Sequence, residues 1–281
     1  MANILFKKII EKFKKDKIAC FSLFFFIILT IFVFSVSYFF DKNYFSVQNT
    51  DSLYCTPSKG HVFGTDSLGR DLFIRTIVGS QISLIIAFIA AIIAVSIGTL
   101  YGMIAGFYGG EIDNIMMRFI DGLSAIPFIF LSILFFTIFG NNFLLIFISI
   151  ACVSWLDIAR IIRGQTLSIK NKEFIYAAKI SGLSNFQIII KHIFPNLFGS
   201  IMIYTTLIIP NILSLSTFLG FLGFGIQPPM AGLGELISEG SMQIIFGQWW
   251  LLIFPCLFLF FILISLFFIS NGVKNAISSK N

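Results

Sequence analysis

The sequence predicts an all-α, polytopic membrane protein with about six transmembrane helices. Three observations lead there. Apolar residues make up 57% of the 281 positions, and 37 of those positions are phenylalanine. Charged residues make up 11%, far below the roughly 25% of a soluble domain. Several apolar runs also reach the ~20 residues that an α-helix needs to cross a bilayer. The formal net charge of +6 gathers at the ends of these runs, which is a pattern of membrane orientation and not of a nucleic-acid-binding stripe.

The spans are expected at about 18–40, 81–106, 119–139, 143–163, 197–220 and 246–269. The first follows Lys7, Lys8, Lys12, Lys14, Lys15 and Lys17. A basic segment before an apolar run also opens a signal peptide. This run is too long for one and no small-residue cleavage site follows it, so an uncleaved first span is expected. With the N-terminus in the cytoplasm, fifteen lysines and arginines fall inside: the six N-terminal lysines, Arg118, Arg160, Arg163, Lys170, Lys172, Lys179, Lys191, Lys274 and Lys280. Four fall outside: Lys42, Lys59, Arg70 and Arg75. The asymmetry predicts cytoplasmic termini, a cytoplasmic segment at 164–196 and outer loops at 41–80 and 221–245. The chain divides into 1–80, holding the basic segment, first span and outer loop, and 81–281, a core of five spans.

Within the second span, Ala90, Ala94, Gly98, Gly102 and Gly106 recur every four residues. Small residues at this spacing form one smooth stripe along which another helix approaches closely, so a helix-packing role is expected. Pro127, Pro210 and Pro255 lie in or near the starts of spans, where each removes a backbone donor and favours a bend. Arg118 with Asp121, and Asp157 with Arg160, are three residues apart, a spacing that puts each pair on one helix face. Both pairs are expected near the cytoplasmic span ends, as anchoring charges.

Nothing in the sequence supports bond chemistry, and no catalytic residue or metal ligand is assigned. There is no Gly-x-x-x-x-Gly-Lys-Ser/Thr phosphate loop. His61 and His192, the only histidines, fall on opposite membrane faces in this topology. Cys20, Cys152 and Cys256 lie in apolar runs and Cys55 stands alone in the outer loop, so no zinc or redox motif is formed. No cofactor is expected in this chain.

The segment Glu173–Pro195 is a polar, amphipathic interruption between apolar stretches. A short helix carries Phe174, Ile175, Ala177, Ala178 and Ile180, and Gly182 then permits a sharp turn. A second helical turn carries Phe186, Ile188, Ile189 and Ile190 toward Pro195. The pattern suits docking into a partner's groove and equally suits an amphipathic helix on the lipid surface. Two outer segments are also distinctive. In 61–71, Gly64 and Gly69 permit turns while Thr65, Asp66 and Ser67 suit capping. In 218–240, Gly220, Gly223 and Gly225 followed by Pro228 and Pro229 cannot continue a helix, so a fold-back at the membrane surface is expected.

Together these segments resemble the permeases of the dipeptide/oligopeptide (and nickel) family of ABC importers, C-type subunit, over nearly the whole chain. The resemblance rests on Phe63–Asp71 (with Gly64, Thr65, Asp66, Gly69, Arg70 and Asp71) and on Ala105–Gly110 with Met117, Arg118 and Asp121. It rests further on Ala159, Arg160, Arg163 and Gly164, and on Phe218–Pro229 (with Gly223, Gln227, Pro228 and Pro229). Gly234, Ser238–Gly240, Trp249, Trp250 and the tail Asn271–Ala276 also match. The resemblance implies a type I ABC importer permease whose 164–196 segment is the coupling loop, contacting an ATPase through Glu173, Tyr176, Ala177, Ala178, Gly182 and Pro195. Tyr176 stands where the family usually has glutamate, and His192 and Phe194 replace the usual Ile and Leu. The implied partners are a homologous second permease, two ATPase subunits that bind the ATP, an extracytoplasmic substrate-binding protein, a peptide substrate and the lipid bilayer, with no nucleic acid. The implied location is the bacterial cytoplasmic (inner) membrane. The alternatives are import of nickel or another small solute, or a proton-coupled secondary transporter working alone.

Overall fold

The structure is a computed structural model that describes residues 10–39, 47–139 and 143–278. Lys7, Lys8, Lys42 and Lys280, used above for orientation, lie outside the described residues. Among the described residues the regular structure is helical, apart from one isolated bridge between Thr65 and Asp71. The α-helices are α1 (Lys17–Phe39), α2 (Leu72–Tyr108), α3 (Gly110–Ser124), α4 (Phe128–Phe139), α5 (Phe143–Lys170), α6 (Glu173–Ile180), α7 (Asn185–Ile188), α8 (Phe194–Phe221), α9 (Leu233–Gln243) and α10 (Trp250–Ser278).

Four of these helical stretches are long and apolar enough to cross a membrane: α1, α2, the α7–α8 stretch and α10. The expected third span is not straight. It is the pair α3 and α4, bent by 82° between Ser124 and Phe128. Pro127 explains the break, since it cannot donate to the preceding turn and disfavours helix at Ile126. Pro210 and Pro255, in contrast, lie inside the continuous helices α8 and α10. α5 runs to Lys170, seven residues past the expected end, so Asp157 and Arg160 fall mid-helix.

α2 begins earlier than its apolar run because Asp71 caps it, its Oδ1 accepting the Ile74 N–H at 3.2 Å. The 37-residue helix therefore passes through position 80, where the two sequence segments were divided. It forms the centre of the molecule and lies closest to α5. A Cβ on Gly98 would sit 2.7 Å from the Trp155 carbonyl oxygen, one on Gly102 2.5 Å from that of Ala159, and one on Gly106 2.8 Å from that of Arg163. The two helices run parallel with their backbones in contact. Ala90 and Ala94 are fully buried in the same stripe.

The core has two halves along α2. Leu84, Ala87 and Ala90 pack with Ile212, Leu213 and Leu219 of α8 and Ile262 of α10. Ala94, Met103 and Phe107 pack with Trp155, Ile158 and Ile162 of α5 and with Ile175, Ile188 and Ile193. The second cluster fastens the polar interruption to the helical bundle.

Candidate functional site: the polar segment and the outer clamp

α6 ends in a Schellman turn. The Gly182 N–H donates to the Lys179 carbonyl at 3.0 Å and the Leu183 N–H to the Ala178 carbonyl at 3.2 Å. Gly182 adopts φ +78° with nothing within 4 Å of an added Cβ. The turn thus needs glycine for its backbone conformation and not for room inside this chain. Ser184 restarts the helix with a capping box: its Oγ accepts the Gln187 N–H at 3.3 Å and its own N–H reaches Gln187 Oε1 at 3.0 Å. A π-turn at Ile189–Ile193 follows, in which the Phe194 N–H reaches back to the Ile189 carbonyl. Pro195 accounts for it, since proline lacks an N–H and crowds the carbonyl four residues earlier.

The segment has two faces. Ile175, Ala178, Ile188 and Ile193 are buried against the bundle. Tyr176, Ile180 and Phe186 point outward, Ile180 at 88% exposure and Phe186 at 71%. Glu173, Ala177, Gly182 and Pro195 are exposed as well. Of the two alanines expected at a partner surface, Ala177 is exposed; Ala178 packs into its own chain, because helical spacing places it with Ile175.

The outer segments form a second constellation. Asp66 Oδ1 accepts the N–H groups of Leu68 and Arg70 at 2.8 and 3.0 Å. Its Oδ2 accepts Arg70 Nε and Arg75 Nη1, each at 2.6 Å. Arg75 also grips Glu239 of α9, Nη1 to Oε2 at 2.6 Å and Nη2 to Oε1 at 3.0 Å. The Arg75 and Asp66 side chains are each 3% exposed and Glu239 is 46% exposed. The 47–71 loop is thereby clamped to α9. Thr65 Oγ1 accepts the Cys55 N–H and donates to the Ser52 carbonyl, while the Trp250 indole donates to the Thr65 carbonyl at 3.4 Å. Gly69, at φ +70°, leaves room for the Asn49 carbonyl. His61 Nδ1 lies 2.9 Å from Asp71 Oδ2.

α8 ends in a second Schellman turn at Gly223 (φ +87°), with Gly223 N–H to the Gly220 carbonyl and Phe224 N–H to the Leu219 carbonyl. The chain then runs without helix to Gly232, with Gln227, Pro228 and Pro229 exposed and the Pro228–Pro229 peptide bond cis. Glu235 fills the space left by Gly220, Gly225 and Gly232 and accepts the Ile226 N–H. Burial pushes its carboxyl above the usual carboxylate range, opposed by those backbone hydrogen bonds.

Sequence reading did not find the Arg75–Glu239 pair, because 164 positions separate its members. It also missed Glu235, whose sequence neighbourhood carries no sign of burial, and the pair between Arg163 and Asp113. For the last, the acidic first turn of α3 and the arginines of α5 were the available signal.

The segments that carry this geometry match a known family. Residues 98–280 match the model of the binding-protein-dependent transport system inner membrane component. The oligopeptide transport system permease protein OppC of Haemophilus influenzae is 44% identical over 275 residues, covering 96% of this chain and 87% of that protein. The dipeptide transport system permease protein DppC of Bacillus subtilis is 38% identical over 271 residues, covering 96% and 84%. A chain of the MetNI methionine ABC transporter, solved in inward-facing conformations, shares the fold with a TM-score of 0.56 at 19% identity, over 72% of this chain and 97% of that one. This chain belongs to the family of binding-protein-dependent transport system inner membrane components. It is a multi-pass inner-membrane permease.

Proposed function

We propose that the chain is the transmembrane subunit of an ATP-driven importer that carries di- and oligopeptides across the cytoplasmic membrane. The observation that carries this reading is the identity to peptide permeases along 96% of the chain. These matches favour peptides over the nickel alternative. In this reading two ATPase subunits, a second homologous permease and an extracytoplasmic binding protein complete the machine. The exposed face of Glu173, Tyr176, Ala177, Ile180, Gly182 and Phe186 seats an ATPase, and the Gly182 turn presents it. The clamped loops at 47–71 and 222–243 face outward, and both termini face the cytoplasm. ATP binding that prefers one arrangement of the complex supplies the bias between inward- and outward-facing states.

The test is uptake by the reconstituted complex. Mutating the phosphate-loop lysine of the ATPase partner should abolish peptide uptake. Uptake that survives the mutation but collapses with a protonophore would replace this reading with secondary transport. Topology is checked separately: Cys55 should react with an impermeant thiol reagent from outside, and a Ser181→Cys variant only from the cytoplasm.

A further inference from the structure

Three strands of geometry meet at the α3–α4 break. Arg160 Nη2 donates to Asp121 Oδ1 at 3.0 Å and to Ser124 Oγ at 2.8 Å, while Nη1 lies 3.4 Å from Asp157 Oδ1. The cluster is not buried: Asp157 is 83% exposed, Asp121 67% and Arg160 37%. Its α5 members are not at a helix end, since Asp157 has fourteen residues of α5 before it and thirteen after, while Asp121 and Ser124 lie in the last turn of α3. Trp155, Ile158 and Ala159 lie against Gly98 and Gly102 of α2, which places the cluster beside the apolar run of that helix. From Gly102 to the end of α2 at Tyr108 is about 9 Å at the helical rise, and from Gly98 about 15 Å.

The spans predicted at 119–139 and 143–163 include all four residues, and charged side chains inside a span avoid lipid and face the bundle interior or water. The adjoining interruption of helix at Ala125–Pro127 is tolerated at membrane depth only in protein or beside a water-filled cavity. Both requirements fall on the same face. That face carries two carboxylates against one guanidinium, and the more exposed carboxylate has the longest and loosest contact.

We propose that Asp121, Ser124, Asp157 and Arg160 line the aqueous part of the translocation pathway, and that Asp157 receives the ammonium group of a peptide in transit. The choice of ligand rests on the peptide-importer reading; the aqueous location does not. Arg160 holds the two carboxylates apart on one face, and Ser124 fixes Arg160 to the break.

The experiment uses the complete complex in proteoliposomes, with Cys20, Cys55, Cys152 and Cys256 replaced by alanine. Single cysteines are placed by Ser124→Cys and, as control, by Ile148→Cys. Ile148 is an exposed apolar residue of α5, nine positions from Asp157 and so on the opposite face. The probe is a charged methanethiosulfonate reagent, whose thiosulfonate sulfur a thiolate attacks in water to form a mixed disulfide with loss of methanesulfinate. Ser124→Cys should react at least about tenfold faster than Ile148→Cys. Equally slow labelling would overturn the pathway assignment, whether or not the parent complex imports peptides. In the second arm, the amidated dipeptide Ala-Ala-NH2, which keeps the ammonium, should slow labelling of Ser124→Cys, and N-acetyl-Ala-Ala should not. Adding Asp157→Asn should remove that protection while the unprotected labelling rate reports an intact fold. Equal protection by both compounds, no protection by either, or protection that persists in Asp157→Asn would overturn the ligand assignment.

Discussion

Arg75 and Glu239 are 164 positions apart and meet in a two-pronged ion pair at 2.6 and 3.0 Å. The same guanidinium bonds Asp66 at 2.6 Å. One buried cation thus ties the start of α2, the 47–71 loop and α9 together. Such a cation adds order more than raw stability, since its desolvation offsets much of the attraction.

Removing it leaves Asp66 buried with one cationic partner fewer. Arg75→Gln should lower the stability of the purified protein by on the order of 3 kcal/mol. Glu239→Gln, at a half-exposed position, should cost about 1 kcal/mol or less. Thermal unfolding in detergent, followed by tryptophan fluorescence, distinguishes the two, and equal losses would contradict a buried clamp.

Gly182→Val should strain the turn by about 1–3 kcal/mol, because valine does not reach its φ of +78° cheaply. Since no atom of the chain lies within 4 Å of the new Cβ, abundance in the membrane should stay near normal. Uptake and co-purification of the ATPase should fall sharply. Gly182→Asn, which tolerates this region, should retain more of both, and Tyr176→Glu should be tolerated or improve coupling. Wild-type uptake by Gly182→Val would remove the 164–196 segment from coupling.

The Glu235 carboxyl is raised by burial. A raised folded-state value means the native protein binds the proton more tightly than the unfolded chain does. This contribution is therefore complete at pH below the usual carboxylate range and is lost as pH rises through the folded-state value. Lowering pH from about 7 to about 5 should raise the melting temperature through this group. Glu235→Gln should flatten that rise and melt higher than the parent at neutral pH; an unaltered profile would show that the carboxyl does not titrate there.

Gly102→Ala should push α2 from α5, because its Cβ would stand 2.5 Å from the Ala159 carbonyl oxygen. A loss of about 1–3 kcal/mol is expected from such overpacking. Gly164→Ala, with nothing within 4 Å, should instead be neutral or gain up to about 1 kcal/mol of helix propensity. Parallel melts of the two variants make the comparison.

Much of this was legible in the chain because membrane helices write their period and length in local sequence. The stripe from Ala90 to Gly106 carried its packing partner's closeness, and Gly182 carried its turn. What was not legible depended on registers between distant segments. The helicity of α5 up to Lys170 puts Asp157 and Arg160 in mid-helix. Asp121 bonds Arg160 of another helix and not Arg118 three residues away, since the bend at Pro127 turns its helix toward α5. Ala178 looked like half of a docking pair, yet Ile175 beside it sets which face is buried. Tertiary packing decided each case.

The π-turn at Ile189–Ile193 gives this stretch room to lose one residue. It holds one residue more than an α-turn, and the buried series Ile188, Ile193, Leu197 steps by five and then by four to accommodate it. A one-residue deletion there would let an unbroken α-helix form. Ile188 and Ile193 would then be four apart on one face, so Tyr176 and Ile180 would keep the face they now present. A one-residue deletion in the regular helix after Leu197 has no such turn to absorb it and would rotate everything before it by about 100° around the α8 axis.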